Sequence, residues 1–227
     1  MDEAAVVIGA SGGIGGAMAQ RLQASGRYAM VHALSRSTGL DLEDEGSIAA
    51  AAARIAAGPV PTLVFVGTGV LHHGHEPERS YRTLTPEHLM RDYRVNAVGP
   101  ALVAKHLLPL FARNRRGVFA ALSARVGSIG DNRLGGWHSY RASKAALNMI
   151  LRNLAIELAR THRSTVVCGL HPGTVDTGLS APFQKGVSAE RLFTADHSAE
   201  RLLAVIDGLA PADSGGVFAW DGARIPE

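Results

Sequence analysis

The chain has 227 residues, of which 46% are hydrophobic and 19% are charged, so it can bury the core of one α/β domain and is not a disordered protein. Its 23 Lys and Arg against 20 Asp and Glu leave a net charge of +3, and this small excess is spread along the chain, which argues against nucleic-acid binding. The 26 glycines follow no period, which excludes collagen-like and repeat proteins.

The N-terminus and the single cysteine indicate the cellular compartment. The residues Met1-Asp-Glu-Ala-Ala are acidic and lead straight into an apolar strand, so no signal peptide is predicted. No apolar run reaches the length of a membrane span. The single cysteine, Cys168, cannot form an intrachain disulfide and is predicted to be buried in the core. A cytoplasmic protein that binds neither membrane nor nucleic acid is therefore predicted.

Short apolar runs along the chain predict buried strands. The runs are continuous rather than alternating, which is typical of strands covered on both faces in a parallel sheet. They are Ala4–Ile8, Ala29–Leu34, Leu63–Val66, Val118–Leu122, Val166–Leu170 and Val217–Trp220. A further short strand is predicted at Asp41-Leu42.

Helical patterns alternate with these strands. They are Ile14–Ser25, Ile48–Ala57, Ser139–Arg160 and Ser198–Leu209. Another helix starts at Thr85-Pro86 and runs towards Arg113, with a bend predicted at Gly99-Pro100. The alternation predicts a single-domain, doubly wound (Rossmann) parallel sheet of about seven strands, with helices on both faces, over residues 1–227.

A glycine-rich turn joins the first predicted strand to the first helix. Without side chains, the backbone can approach a pyrophosphate closely, and the helix N-terminus offers N–H groups and a partial positive charge. An ordinary tight turn is the alternative, but the position in the first strand–helix unit favours a cofactor turn. The residues predicted to bind the cofactor are Gly9, Ser11, Gly12, Gly13, Ile14 and Gly15.

The second predicted strand ends in Ser35, Arg36 and Ser37, with no acidic residue where NAD-preferring sites hold the ribose 2′-hydroxyl. An arginine there suits a 2′-phosphate and stacks on adenine, although a plain surface arginine is the alternative. NADP(H) is therefore predicted in preference to NAD(H). Asp41 and Leu42 are predicted to contact the adenine edge.

Tyr140 and Lys144 open a predicted helix at fourfold spacing, so their side chains share one face. A nearby lysine is expected to lower the pKa of the phenol from its ordinary value of about 10, which would let the tyrosine act as an acid or base near neutral pH. Such a pair alone is also compatible with an exposed helix surface. Together with the glycine turn, the pair becomes a strong signal of a functional site.

Over essentially its whole length the chain resembles the short-chain dehydrogenase/reductase family, and within it the C-factor-like and sniffer-type carbonyl reductase group. The resemblance implies that Tyr140 is the proton donor, that Lys144 is its partner, and that Asn96 helps to hold a water near the lysine. It rests on Gly9-x3-Gly13-x-Gly15, Tyr140–Asn148, His171–Thr177, Ser123–Ile129 and Asp131–Trp137. Further cofactor contacts that it implies are Gly67, Thr68, Gly69, Pro172, Gly173, Val175 and Thr177.

Two positions depart from the family. Val66-Gly67-Thr68-Gly69 replaces the usual N-N-A-G, so a hydrogen bond that braces the sheet is expected to be missing. Relatives often carry two serines after the next strand, the second being catalytic, and here Ala124 aligns with it. Because neighbouring strand residues face opposite ways, Ser123 does not simply substitute. Ser123 and Ser128 both stay candidates for the third catalytic group.

The resemblance implies an NADP(H)-dependent carbonyl reductase acting on a small carbonyl or alcohol substrate. The alternative is a cofactor-binding signalling or regulatory protein with little or no turnover, which Ala124 favours and the intact Tyr140 and Lys144 oppose. Relatives commonly form homodimers or homotetramers through their long helices, here Pro86–Arg113 and Ser139–Arg160. No metal is predicted: the three histidines of Leu71–His75 have no cysteine or well-spaced carboxylate beside them.

Overall fold

Six parallel strands form the central sheet. The computed structural model describes residues 2–72, 74, 76–185 and 188–227 of the chain. The strands are β1 (Glu3–Ile8), β2 (Met30–Leu34), β3 (Val60–Val66), β4 (Gly117–Leu122), β5 (Thr165–His171), β6 (Thr174–Val175), β7 (Leu192–Phe193) and β8 (Val217–Ala219). The sheet has the order β2-β1-β3-β4-β5-β8, and β6 pairs separately with β7. All six apolar runs predicted as strands are confirmed.

The short strand predicted at Asp41-Leu42 is not formed, so the sheet has six strands rather than about seven. The amide of Asp41 donates to Ser47 Oγ at 2.9 Å, and the amide of Glu43 donates to Asp41 Oδ1 at 3.0 Å. Side-chain oxygens thus accept hydrogen bonds from backbone amides that, in a strand, would donate to the neighbouring strand. Leu40 and Leu42 are buried all the same, and they pack into the core from this turn.

In the part of the chain that the structure describes, six α-helices cover the sheet, and they lie on both of its faces as predicted. They are α1 (Gly13–Ala24), α2 (Glu45–Ala56), α3 (Pro86–Tyr93), α4 (Gly99–Leu107), α5 (His138–Leu158) and α6 (Ala195–Gly208). One half of the core packs α2, α4 and α5 against the sheet, and the other half packs α1 and α6. None of the described helices is long and apolar enough to cross a membrane.

The long helix predicted from Pro86 towards Arg113 is interrupted. Residues Arg94–Val98 form a π-helical turn between α3 and α4, so the irregularity precedes the bend predicted at Gly99-Pro100. Pro100 has no N–H to donate to the carbonyl of Asn96, which removes one bond of the regular α-helical ladder at this point. Single π-turns are common at functional sites, and this one carries Asn96.

The strand order reverses between β1 and β3, because β1 has β2 on one side and β3 on the other. In such sheets the crevice outside the carboxyl ends of these two strands is the usual place for a ligand. The glycine turn after Ile8 and the loop after Val66 face each other there, and the amide of Gly67 donates to the carbonyl of Ile8 at 2.8 Å. The fold therefore places the predicted cofactor residues at its switch point.

Candidate active site

A cleft of about 480 Å³ opens at the switch point between β1 and β3. The glycine turn, the end of β2 and the loop after β3 form its walls. The predicted cofactor residues that line it are Gly9, Ser11, Gly12, Ser35, Arg36, Asp41, Leu42, Gly67, Thr68 and Gly69. Residues far apart in the sequence thus meet in one crevice.

The glycine turn is packed too tightly for side chains. Gly9 has a φ of +86°, and a Cβ atom on Gly15 would lie 2.2 Å from the carbonyl oxygen of Gly9. Helix α1 begins at Gly13 after the N-cap Gly12, which has no side chain to cap the first amides. Those amides have no partner within the helix, so the turn fits a pyrophosphate. Ile14 packs partly into the core behind it.

Arg36 stands at the outer end of the cleft in a short 3₁₀ turn. The Oγ atoms of Ser35 and Ser37 are 2.8 Å apart, and the amide of Ser35 donates to Thr38 Oγ1 at 2.8 Å, so the turn is held by its own hydroxyls. Arg36 is exposed, and no described residue forms an ion pair or hydrogen bond with its guanidinium. Its donors therefore fit a phosphate.

The segment after β5 reaches the cleft through Gly178 and Leu179. Thr177 lies over the glycine turn, because a Cβ atom on Gly13 would be 2.8 Å from its Cγ2. The other predicted contacts of this segment, Pro172, Gly173 and Val175, are not among the residues that line the cleft. Val175 is buried in β6, and the carbonyl of Pro172 accepts a hydrogen bond from Ser198 at 3.0 Å.

Tyr140 and Lys144 lie on the buried stripe of α5, where they are 8% and 2% exposed. Lys144 Nζ donates to the carbonyl of Leu122 at the end of β4 at 2.8 Å, and it lies 5.7 Å from the centre of the Tyr140 ring. The predicted sharing of one helix face is thus present, and both side chains point to the carboxyl end of the sheet.

Asn96 connects the loop after β3 to α5. Its Oδ1 accepts from the amide of Val70 at 2.9 Å, and its Nδ2 donates to the Val70 carbonyl at 2.9 Å and to Ser143 Oγ at 3.0 Å. A Cβ atom on Gly69 would lie 3.4 Å from Asn96 Oδ1 and 3.5 Å from Lys144 Nζ. Asn96 and Lys144 therefore converge on the inner end of the cleft.

The departure at Thr68 leaves a polar group without a partner. Its Oγ1 is buried and forms no hydrogen bond with the described residues. The asparagines of the family align with Val66 and Gly67, so it stays a prediction that a hydrogen bond bracing the sheet is missing here.

The pKa of the Tyr140 phenol differs from the sequence-based expectation. Burial raises this pKa above its ordinary value, and the nearby Asp92 carboxylate raises it further. Burial also lowers the pKa of Lys144 to about 8, although Asp92 opposes that change. The expected lowering of the tyrosine pKa by Lys144 is thus wrong for this structure, because the loss of solvation on burial raises the pKa instead.

Both serine candidates for the third catalytic group, Ser123 and Ser128, have hydroxyls that are engaged with other partners. Ser123 Oγ donates to Asn148 Oδ1 at 2.6 Å, and Ser128 Oγ accepts from the amide of Asp131 at 3.0 Å. No hydrogen bond joins either hydroxyl to Tyr140 among the described residues. Ala124 instead packs in the same apolar cluster as Tyr140.

This apolar cluster adjoins the cleft. It consists of Leu71, Ala124, Val126, Trp137, Tyr140, Leu179 and Phe183. The Trp137 and Phe183 rings are 4.9 Å apart, centre to centre, and His72 meets Phe183 edge-on at 5.7 Å. Because Leu71 and Leu179 also line the cleft, the cluster gives Tyr140 an apolar, partly aromatic surrounding next to the cofactor crevice.

No group of three or more His, Cys, Asp or Glu side chains that could hold a metal ion is found among the described residues. His72 Nε2 lies 3.0 Å from the carbonyl of Gly178, so this histidine helps to hold the two loops of the apolar cluster together. His73 and His75 lie outside the described residues.

Sequence reasoning missed two buried acidic residues beside the site, Glu78 and Asp92. Asp92 precedes Asn96 by one helical turn, so helix periodicity was the available signal. Glu78 lies in a loop without a pattern and contacts Ser139, 61 residues later in the chain, so no local signal indicated it.

Asp92 is expected to make stability depend on pH. Burial raises its pKa from 3.8 to about 6, and repulsion from Glu78 adds to the rise. Since the folded state binds the proton more tightly than the unfolded state, stability falls as the pH rises from the lower to the higher pKa. Asp92→Asn should therefore gain about 2 to 3 kcal/mol over the wild type between about pH 4 and pH 8, measured by urea unfolding. If the difference in stability between Asp92→Asn and the wild type does not change with pH across this range, the raised pKa of Asp92 is contradicted.

Comparisons with known proteins agree with this geometry. The short chain dehydrogenase family matches residues 3–188. The 1-hydroxy-2-glutathionyl-2-methyl-3-butene dehydrogenase of Rhodococcus sp. strain AD45 is 32% identical over 188 residues, which are 82% of this chain and 78% of that protein. The C-signal protein of Myxococcus xanthus is 36% identical over 138 residues, which are 61% of this chain and 78% of that protein.

Solved structures share the whole fold. An NADPH-bound carbonyl reductase from chicken fatty liver superposes with a TM-score of 0.81 at 25% identity, over 100% of this chain and 99% of that chain. Carbonyl reductase Sniffer of D. melanogaster gives a TM-score of 0.82 at 19% identity over 100% of both chains, a likeness of fold. With the family match over residues 3–188, these findings show that the chain belongs to the short-chain dehydrogenase family.

Proposed function

We propose that the chain is an NADP(H)-dependent oxidoreductase that transfers a hydride between the nicotinamide ring and a carbonyl or alcohol substrate. The observation that carries the proposal is the meeting of Asn96 and Lys144 at Gly69, with Tyr140 one helical turn away. Gly69 lines the same cleft as the glycine turn. A proton donor and a cation therefore lie at the inner end of a crevice that suits a dinucleotide.

The residues of the cleft fit a dinucleotide that carries a 2′-phosphate. The uncapped start of α1 would hold the pyrophosphate, and the donors of Arg36 would hold the 2′-phosphate. Asp41 and Leu42 would line the adenine end, and Gly67–Gly69 the nicotinamide end. The chicken carbonyl reductase, which is similar to this chain, binds NADPH, and this supports the choice of NADP(H).

When bound, the nicotinamide supplies or accepts the hydride. Tyr140 gives a proton to the carbonyl oxygen in reduction and takes it back in oxidation, and burial keeps its phenol protonated before the reduction. Lys144 in its charged form stabilises the phenolate that remains. Asn96 holds the loop at Val70 against α5 and so orients both groups. The apolar cluster excludes water around Tyr140.

A titration with NADPH and NADH, followed by nicotinamide fluorescence, tests the proposal. A panel of aldehydes, ketones and quinones is then added to the tighter complex, and cofactor oxidation is recorded. We expect tighter binding of NADPH and turnover of at least one carbonyl class. Failure to bind either cofactor would overturn the assignment.

Arg36→Ala is expected to weaken NADPH binding by about 10- to 100-fold, because it removes a charge-assisted contact with the 2′-phosphate. The dissociation constant for NADH, which has no such phosphate, should stay unchanged. Arg163→Ala provides the control, since Arg163 is also exposed but lies before β5, at the opposite end of the sheet from the cleft. An equal loss for both cofactors would contradict the role given to Arg36.

A signalling or regulatory protein with little turnover is the second candidate function. The specific observation in its favour is Ala124, which places a methyl group instead of a hydroxyl beside Tyr140. The similarity to the C-signal protein adds to it. In that case NADPH binds tightly and no compound of the panel is reduced.

Self-association is proposed through α3 and α5. Both helices carry exposed apolar side chains: Leu89, Met90, Tyr93, Met149 and Ile156. Covering them in a homodimer or homotetramer would remove apolar surface from water. Sedimentation velocity would show a species of two or four chains, and a monomer at micromolar concentration would contradict the proposal.

A further inference from the structure

Two buried carboxyl groups lie beside the proposed catalytic residues. Glu78 is 3% exposed and Asp92 is 1% exposed. Burial disfavours the charged form of a carboxyl group, so such groups are hydrogen-bonded, paired with a cation or protonated. The two groups meet this requirement in different ways.

The Glu78 carboxylate caps the start of α5. It accepts hydrogen bonds from the Ser139 amide at 3.2 Å and from the Ser139 hydroxyl, and the Glu78 carbonyl accepts from the Trp137 amide at 2.5 Å. Trp137 is the N-cap residue and has no side-chain hydrogen bond to the helix, so Glu78 supplies the cap from outside. Since Tyr140 directly follows Ser139, Glu78 fixes the turn that carries the phenol.

Asp92, on α3, lies beside the start of α5 that Glu78 caps. Asn96 follows Asp92 by one helical turn, and Asn96 Nδ2 donates to Ser143 Oγ on α5 at 3.0 Å. Ser139 precedes Ser143 by one turn, and α3 packs along α5, so we infer that Asp92 lies near Ser139. Asp92 Oδ1 is buried and has no hydrogen-bond partner among the described residues.

The titratable and charged groups around Asp92 come from three parts of the fold. They are Arg91 and His88 on α3, Glu78 on the preceding loop, and Tyr140 and Lys144 on α5. His88 Nδ1 is 4.0 Å from Glu78 Oε1. Burial and repulsion from Glu78 favour the protonated form of Asp92, whereas the cations Arg91 and Lys144 favour its carboxylate. The hydrogen bonds from Ser139 keep Glu78 ionised despite its burial.

Building on the proposed function, we propose that Glu78 and Asp92 form a carboxyl pair that holds one proton, on Asp92, at low pH, and that Asp92, once it has ionised, keeps Lys144 in its charged form. The proton of Asp92 is released to solvent as the pH rises. Asp92 is then a positioning residue, since it acts through Lys144 and not on the substrate. Without it, burial favours the neutral amine, which no longer stabilises the phenolate of Tyr140.

Carbon-13 NMR of protein labelled at the aspartate carboxyl carbon tests the pair without any turnover. The Asp92 resonance, identified by its loss in Asp92→Asn, should titrate near pH 6. Glu78→Gln keeps an acceptor for Ser139 and should lower this midpoint by about one pH unit, whereas Lys144→Met should raise it by about as much. The resonance of the exposed Asp207 serves as the control and should be the same in all three proteins. An Asp92 midpoint that is the same in all three proteins overturns the inference.

Steady-state kinetics test the consequence for Lys144. With NADPH and menadione, the alkaline limb of the kcat/KM profile of Asp92→Asn should move to lower pH by about one unit, while Asp207→Asn follows the wild type. A purely structural role would lower kcat/KM without moving this limb, and that result overturns the inference. If the wild type reduces no carbonyl, the hydride-transfer proposal fails. The NMR midpoints still test the carboxyl pair, because they do not depend on turnover.

Discussion

Tyr140→Phe is expected to lower kcat for carbonyl reduction by about 10³-fold while the dissociation constant for NADPH stays unchanged. General acid catalysis by a positioned side chain contributes about 10² to 10⁴ in rate, and phenylalanine keeps the ring but has no proton to give. The ring of Tyr140 packs with Leu71 and Ala124, and the substitution preserves this packing. The measurement combines steady-state kinetics with a fluorescence titration of NADPH.

The matched control for this variant is Tyr28→Phe. Tyr28 also packs against the core, but on the side of α1, away from the cleft. Loss of its hydroxyl should leave both kcat and NADPH binding unchanged. If Tyr140→Phe keeps the activity of the wild type, the phenol is not the proton donor, and another acid takes its place.

Much of the fold could be predicted because its strands are buried on both faces. Such strands read as continuous apolar runs, and every run so identified lies in the sheet. Cys168, predicted to be a core residue, is 0% exposed in β5. The segment at Asp41 was misread as a strand since it is apolar on both sides, whereas the competing hydrogen bonds with Ser47 depend on the following helix.

The candidate site was predictable only where spacing carries the information. Fourfold spacing places Tyr140 and Lys144 on one face of α5, and the structure confirms that placement. The pKa of Tyr140 could not be predicted in the same way, because it depends on burial and on Asp92, a residue of another helix. The spacing of residues in the sequence thus predicts which side chains share a helix face. Their protonation depends on burial and on charged residues from other parts of the fold.

The methyl group of Ala124 is expected to affect kcat for carbonyl reduction. In the transition state of hydride transfer, negative charge develops on the substrate oxygen, and a hydrogen-bond donor aimed at that oxygen contributes about 10² to 10³ in kcat. Tyr140 is one such donor. Ala124 is buried beside Tyr140, at 9% exposure, in the place where the resemblance to the family implies a serine. Its methyl group provides no second hydrogen-bond donor.

Ala124→Ser should therefore raise kcat for carbonyl reduction by about 10²-fold, because a hydroxyl at this position shares the apolar cluster with the phenol of Tyr140. The added oxygen is small, and the substrate oxygen or the phenol can accept its proton, so the cost of burying it is limited. Ser123→Ala and Ser128→Ala serve as controls. Their hydroxyls are engaged with Asn148 and with the amide of Asp131, so their removal should change stability more than kcat. If instead Ser128→Ala abolishes turnover and Ala124→Ser leaves kcat unchanged, the loop serine already supplies the second donor, and the loop moves towards Tyr140 when substrate binds.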